Sequence, residues 1–336
     1  MTSITIGDLA NTFLIKRQTS GLKSEMARLA SELTTGQKAD LGASLAGDFG
    51  PFAGIERSLR AIAAYTTANS EAAGMLTASQ LALENVQSIG RDLSTALLTA
   101  SSSEDVVLIG ATAEDARQKF SAVVSTLNTS MADRTLFGGA ATDRPALATG
   151  EEMLAEIAAA TAGETTAAGI VAAVEAWFDD AGGGFETMGY LGSTSDMGPM
   201  LIAEDETVSV GVRADGQVIR DTLKGYALMS LIAGGALAGQ VTEQADLAAA
   251  AATQLLAADG DITDVRARIG AVEARIEDAQ ARNAAEKSAY ELARTELVGA
   301  DPYQTATELQ AVYAQIETLY TVTARIAGLK FTDYMR

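Results

Sequence analysis

The sequence predicts a mainly α fold: an elongated bundle of long antiparallel helices formed by both chain ends, with a small inserted mixed α/β middle domain. Three observations carry that expectation. From Ile262 through Val265, Ile269, Val272, Ile276 and Ala279 to Leu297, apolar residues recur at three-four spacing, with Asn283 and Glu286 as polar members of the stripe. Such spacing keeps one helix face turned toward a partner. After a break at Gly299-Ala300-Asp301-Pro302, Leu309, Val312, Ile316, Leu319 and Ile326 restart the pattern. The first hundred residues carry a matching stripe, so the two ends share a core only if they meet. At about 1.5 Å per residue, 262–297 alone would extend roughly 54 Å.

The elements follow in order. Leu9, Phe13, Leu22, Met26, Leu29 and Leu33 define a first helix, interrupted in its stripe by the polar run Lys16 to Ser20. Glycines from Gly36 to Gly54, with Pro51, then predict a loop. Helical spacing resumes at Ile55 and runs through Leu97, and Ser101-Ser102-Ser103 before Glu104 reads as a stop and a new N-cap. A third helix is expected to about Met131. From Leu136-Phe137-Gly138-Gly139 to about Val212 the chain turns rich in Gly, Thr and acids, with short helices expected near Glu151 and Thr166. Alternation at Val208, Val210 and Val212, then Asp215-Gly216 before Val218 and Ile219, predicts a small hairpin. Helical pattern returns from Asp221 to Ala258, and Asp259-Gly260 is expected to interrupt it before Asp261 caps the last long helix. The expected organisation is an N-terminal inner helix (1–36), two halves of a helical rod (37–139 and 221–298) around a middle domain (140–220), and a C-terminal inner helix (299–336).

Composition narrows the function. The 336 residues are 48% hydrophobic but only 5% aromatic, with 4 Pro, so the core must be helical and built from small and aliphatic side chains. Formal charge is -20, and from Pro145 to Val212 there are twelve acids and no Lys or Arg. Phosphate binding needs clustered basic residues, so nucleic acid is not an expected partner. With no Cys and no His, disulfides, thiolate nucleophiles, Cys/His zinc sites and imidazole catalysis are excluded. The start Met1-Thr-Ser-Ile-Thr-Ile-Gly-Asp has neither a basic region nor an apolar run, so no cleaved signal peptide is expected. Tyr226 to Gly239 is too short to cross a bilayer, which takes roughly 20 apolar residues, so no membrane insertion is expected.

The candidates for chemistry are weak. Ser20-Gly21-Leu22-Lys23 has a Ser-x-x-Lys spacing without companion motifs, and an exposed helix face accounts for it. Asp259, Asp261 and Asp264 lack the glutamate a calcium loop needs at position twelve, where Gly270 stands, and helix capping accounts for them better. Glu204-Asp205-Glu206 reads as a solvated loop, and Gly182-Gly183-Gly184 as a flexible turn rather than a phosphate cradle. No catalytic, cofactor-binding or metal-binding residue is expected, and no cofactor. A polar residue on a seam, such as Asn283 or Glu286, either fixes register or marks a partly exposed position.

Several segments resemble the bacterial flagellin family. Leu29 to Lys38 is similar to the end of its first helix, Asn69 to Ser101 to its second conserved helix, and Arg268-Ile269-Gly270-Ala271-Val272-Glu273-Ala274-Arg275 to the opening of its C-terminal helix. Arg134-Thr135-Leu136-Phe137-Gly138-Gly139 with Thr142-Asp143-Arg144-Pro145, and the ending Gly328 to Met335, resemble the hook-associated branch that forms the hook-filament junction. The sequence departs from the family at Asp48-Phe49, where paired aspartates are usual, and at Ser3-Ile4-Thr5-Ile6. The resemblance implies a structural, non-enzymatic protein, secreted through the flagellar type III apparatus and located in the flagellum. It further implies self-assembly in a ring or helical array, contact with other hook-associated proteins and flagellin, and an export chaperone. Filament flagellin and a cytoplasmic coiled-coil adaptor are the alternatives. The expected assembly interface is Leu9, Phe13, Leu22, Met26, Leu29 and Leu33 with Leu309, Val312, Ile316, Leu319 and Ile326.

Overall fold

The computed structural model describes residues 6–334. Their helices are α1 (Ile6–Thr35), α2 (Leu41–Ser44), α3 (Gly50–Ser103), α4 (Val106–Leu127), α5 (Gly150–Ala160), α6 (Ala167–Asp179), α7 (Gln217–Ala233), α8 (Val241–Val298) and α9 (Pro302–Tyr334). Four short strands, β1 (Ser130–Met131), β2 (Arg134–Thr135), β3 (Met200–Ala203) and β4 (Glu206–Val208), form two antiparallel hairpins. This is the mainly α fold with long packed helices and a small strand-bearing middle that the sequence predicts. Two groups of contacts divide the chain: residues 1–63 with 284–336, and residues 64–283.

The second group holds a helical bundle. Its portions of α3 and α8 run antiparallel: Gln80 donates to the Arg266 carbonyl at 2.9 Å, Gln87 to Thr263 at 2.8 Å, and Arg91 pairs with Asp259 at 2.7 Å. Rising numbers on α3 thus meet falling numbers on α8. α4 packs on α7, and Tyr226 of α7 donates its buried hydroxyl to the Val86 carbonyl of α3 at 3.1 Å. Loss of water around that phenol raises its pKa. One contiguous buried core reaches from Ala72 to Ala279, made largely of Leu, Val, Ile and Ala with Phe120 and Tyr226 as its large members. The thin aliphatic core expected from composition is what fills the bundle.

Local differences from the sequence reading have local causes. The cap of α4 is Asp105, whose carboxylate accepts from the amide of Val107 at 2.8 Å; the serine run belongs to the last turn of α3. α4 ends at Leu127 rather than near Met131, because β1 and β2 turn through Ala132 and Asp133, both at positive φ. That turn lacks the glycine which normally advertises it. The valine hairpin is displaced: β3 pairs with β4 through Glu204-Asp205, while Gly216 precedes α7 and Val218 and Ile219 are helical. The helix expected from Asp221 to Ala258 is two helices, separated by turns at Gly234, Gly235 and Gly239. Asp259-Gly260, by contrast, does not interrupt α8. A helical glycine costs about 1 kcal/mol relative to alanine, and burial of Ile262, Val265 and Ile269 close behind it outweighs that.

Within the middle region, the two expected short helices are α5 and α6. Thr149 and Glu152 form a reciprocal capping box on α5, and Thr166 caps α6 through the Gly169 amide at 3.1 Å. Trp177, Phe178, Phe185 and Tyr190 build an aromatic cluster, with Trp177 and Phe178 edge to face at 4.7 Å. Gly184 lies so close to the Trp177 indole that no side chain would fit, so the triple glycine is a packed turn and not a flexible one. Lys224 of α7 is buried between Asp179 of α6 and Asp221, which lies 2.8 Å away.

Candidate assembly interface

α1 and α9 form the pair on which the predicted interface lies. α1 stops at Gly36, whose φ of +68° is open to glycine at little steric cost and whose amide bonds the Glu32 carbonyl at 2.9 Å. The chain after it pairs briefly with the segment between α8 and α9: Lys38 donates to Val298 at 2.9 Å and Ala300 to Gly36 at 3.0 Å. Asp301 then caps α9, its carboxylate accepting from the amides of Tyr303 at 2.9 Å and Gln304 at 3.1 Å, with Pro302 in the first helical position. The break seen in the sequence is therefore a built start signal, held against the end of α1.

Charge secures the C-terminal end of α1. Arg28 grips Glu25 with two nitrogens and Glu32 at 2.6 Å, and Glu32, buried, also accepts the Ala39 amide at 3.0 Å. The Arg28 hydrogen bonds lower the pKa of Glu25, and the two carboxylates raise that of Arg28. Arg294 of α8 reaches Glu56 of α3 at 2.7 Å in the same group of contacts.

The predicted interface residues divide into three sets. Leu29 and Val312 are buried, and Leu22, Met26, Leu309, Ile316 and Leu319 are half-buried. Phe13 and Leu33 stay exposed, at 65% and 40%. The side chains of Leu9 and Ile326, and those of the Gly328 to Met335 ending that carried part of the resemblance, are not among those described. Residues absent from the prediction extend the exposed apolar surface: Leu14, Tyr313, Tyr320 and Val322. A sequence signal for the tyrosines existed in their seven-residue spacing, but they fall beside the aliphatic stripe instead of on it. Between the helices an open cleft of about 400 Å³ runs past Leu22, Leu319 and Val322. Among the described residues, no α1 or α9 side chain belongs to the contiguous core.

Other candidates resolve differently. Asn283 is buried and donates to the Ile202 carbonyl of β3 at 2.8 Å; Asn69 of α3 donates to the same oxygen at 3.1 Å. Glu286 is exposed. Asn283 thus positions the β3–β4 hairpin within its own chain, while Glu286 faces outward. Glu206 is no free loop acid, since Arg275 and Arg282 both pair with it. Asp259 is held by Arg91, and the described residues contain no cluster of three or more metal-ligating side chains. Among the same residues no helix is long and apolar enough to cross a membrane.

The Leu136-Phe137-Gly138-Gly139 motif is structural. Leu136 and Phe137 are buried, the Phe137 carbonyl accepts from Ala214 at 2.9 Å, and that of Gly138 from Ser193 at 2.8 Å. Gly139 has φ +62°, and a Cβ there would stand 2.5 Å from the Ser193 carbonyl. Tyr190, whose pKa burial and the nearby Asp215 push up to about 12, donates to that Ser193 carbonyl at 2.8 Å.

A buried bundle is joined in sequence to a pair of terminal helices that leaves large apolar side chains exposed, which defines a mainly helical protein of long packed helices. Residues 252–335 match the bacterial flagellin C-terminal helical region. The protein is flagellin-like through these C-terminal helices. No curated protein matches the sequence. Among solved structures, FlgL of Bacillus cereus is similar in fold, at 13% identity and a TM-score of 0.50, covering 70% of this chain and 96% of its own. A protein described as a flagellar hook-associated protein from Vibrio parahaemolyticus aligns at 13% identity and a TM-score of 0.48, over 72% of this chain and 94% of its own.

Proposed function

We propose that the protein is a structural subunit of the bacterial flagellum that joins hook to filament through packing of its terminal helices against neighbouring subunits. The observation that carries this reading is the incomplete burial of α1 and α9. Phe13, Tyr313 and Tyr320 are 65%, 56% and 52% exposed on a helix pair whose described side chains contribute nothing to the contiguous core. Covering one large apolar side chain is worth about 1.5–3 kcal/mol, so several such positions on one pair supply a driving force for association. Head-to-tail packing of identical patches gives rings where the rotation closes and tubes where it does not. The flagellin match to residues 252–335 supports the flagellar setting, and the fold shared with FlgL of Bacillus cereus agrees with it.

On this reading the chain leaves the cell by the flagellar export apparatus with a chaperone, meets hook-associated proteins and flagellin, and performs no catalysis. Loss of the protein from culture supernatant when flagellar export is disabled tests the setting. Retention in the cytoplasm of exporting cells would instead favour a cytoplasmic adaptor, and undiminished amounts in the supernatant would contradict the flagellar route. Filament flagellin remains the second reading, since the matched family region is that of flagellins; it requires the protein to dominate sheared filaments rather than be scarce in them.

A further inference from the structure

Two surfaces of the terminal helix pair complement each other in charge and size without meeting inside one chain. On α1, the face turned away from α9 carries Phe13, Arg17, Ser20 and Ser24, with Lys16 and Lys23 beside them, all exposed. No acid occurs from Thr12 to Ser24. Arg28 is the one α1 cation in an ion pair among the described residues, so the basic patch is unneutralised in a chain of formal charge -20. Gly21 lies on the same face, and a Cβ placed there would meet nothing within 4 Å, which leaves room for a large ring against the backbone.

On α9, Tyr313, Glu317 and Tyr320 share one exposed flank, and Glu317 forms no ion pair among the described residues. The cleft between the helices sets their level: Gln18 and Leu22 stand beside Ala314, Thr318 and Val322, so Arg17 and Glu317 lie at nearly equal height on separate surfaces. Charge decides which surfaces can pair between copies. α1 against α1 would oppose three cations to three, and α9 against α9 would bring Glu317 to Glu317, both repulsive. α1 against α9 joins opposite charges, seats tyrosine rings over small residues and lets Arg17 stack on an aromatic face. We propose, resting on the reading that the terminal helices pack between subunits, that their contact is heterologous: the α9 flank of Tyr313, Glu317 and Tyr320 in one copy lies on the α1 face of Phe13, Arg17 and Ser24 in the next, with Glu317 paired to Arg17. Each copy offers one surface of either kind, so the contact propagates from subunit to subunit instead of stopping at a dimer.

The chain has no Cys, so any thiol in it is an introduced one. In flagella from cells producing the full-length Ser24→Cys/Ala314→Cys chain, a short bismaleimide should give an antibody-detected ladder of dimers, trimers and larger species, and either single variant should give no cross-linked product. Arg17→Glu should reach the culture supernatant but be depleted at least about ten-fold from flagella, the scale of one lost charge-assisted contact. Adding Glu317→Arg to it should restore incorporation. Chains present in flagella without a ladder, dimers from the Ser24→Cys chain alone, or a double charge variant as depleted as Arg17→Glu would overturn this pairing and leave the assembly reading standing. Absence of the unsubstituted chain from flagella would overturn both.

Discussion

Leu29 and Phe13 sit on the same helix, sixteen residues apart in one stripe, yet one is fully buried and the other 65% exposed. The difference marks where intramolecular packing of α1 on α9 succeeds and where it leaves surface over. Leu29→Ala should therefore weaken the pair by about 2–3 kcal/mol, the cost of emptying a buried leucine site, and hydrogen exchange of α1 should report it. Phe13→Ser should leave exchange in the isolated chain nearly unchanged while reducing assembly. At Gly139, alanine would meet both an unfavourable φ and the Ser193 carbonyl. Gly139→Ala should cost upward of about 2 kcal/mol, seen as a lower Tm. Acid acts through Glu25. Its pKa is lowered in the folded protein by Arg28, so its contribution is full above the ordinary value of 4.5 and is lost as pH falls through the lower, folded value. A Glu25→Gln variant should accordingly show a smaller acid-induced loss of α1 protection than the parent chain.

At the scale of elements, long helices were legible and short ones conditionally so. The three-four stripe of α8 holds from Ile262 to Asn283, every step contacting or entering the core, and then fades to half-buried Tyr290, Ala293 and Leu297. Periodicity shows that a face is wanted, not how far its partner extends. Turn chemistry decided the misplacements. Ala132-Asp133 makes a tight hairpin without glycine, whereas Asp215-Gly216, which looks like a hairpin turn, begins a helix. Gly260 was misleading in the opposite sense, because tertiary burial overrides a weak propensity. The Asn283 side chain carries a separate expectation. Asn283→Ala removes one of two donors to the Ile202 carbonyl and leaves Asn69 to satisfy it, a loss of about 0.5–1.5 kcal/mol. Denaturant unfolding should show that loss, with faster exchange in β3 and β4.

For the molecule, the exposed apolar side chains of α1 and α9 are among the features that folding of one chain leaves unused. Large apolar patches on soluble chains commonly mark association surfaces. Truncation before Pro302 should yield a chain whose 64–283 bundle still unfolds cooperatively, since none of the described α9 side chains enters its core, but which no longer joins flagella. Cells made motile by that truncated chain alone would contradict the assignment of the seam. The candidate interface is only partly readable in the sequence, because the pattern identifies apolar stripes without telling which part is buried inside the chain and which part stays exposed. Leu29 and Val312 belong to the first kind, and Phe13 with Tyr313 and Tyr320 to the second.

Gold-labelled antibody on intact flagella tests the junction role most directly. A single cluster of label at the hook-proximal end of each filament is the predicted result. Label along the whole filament, or none on the flagellum, would contradict it.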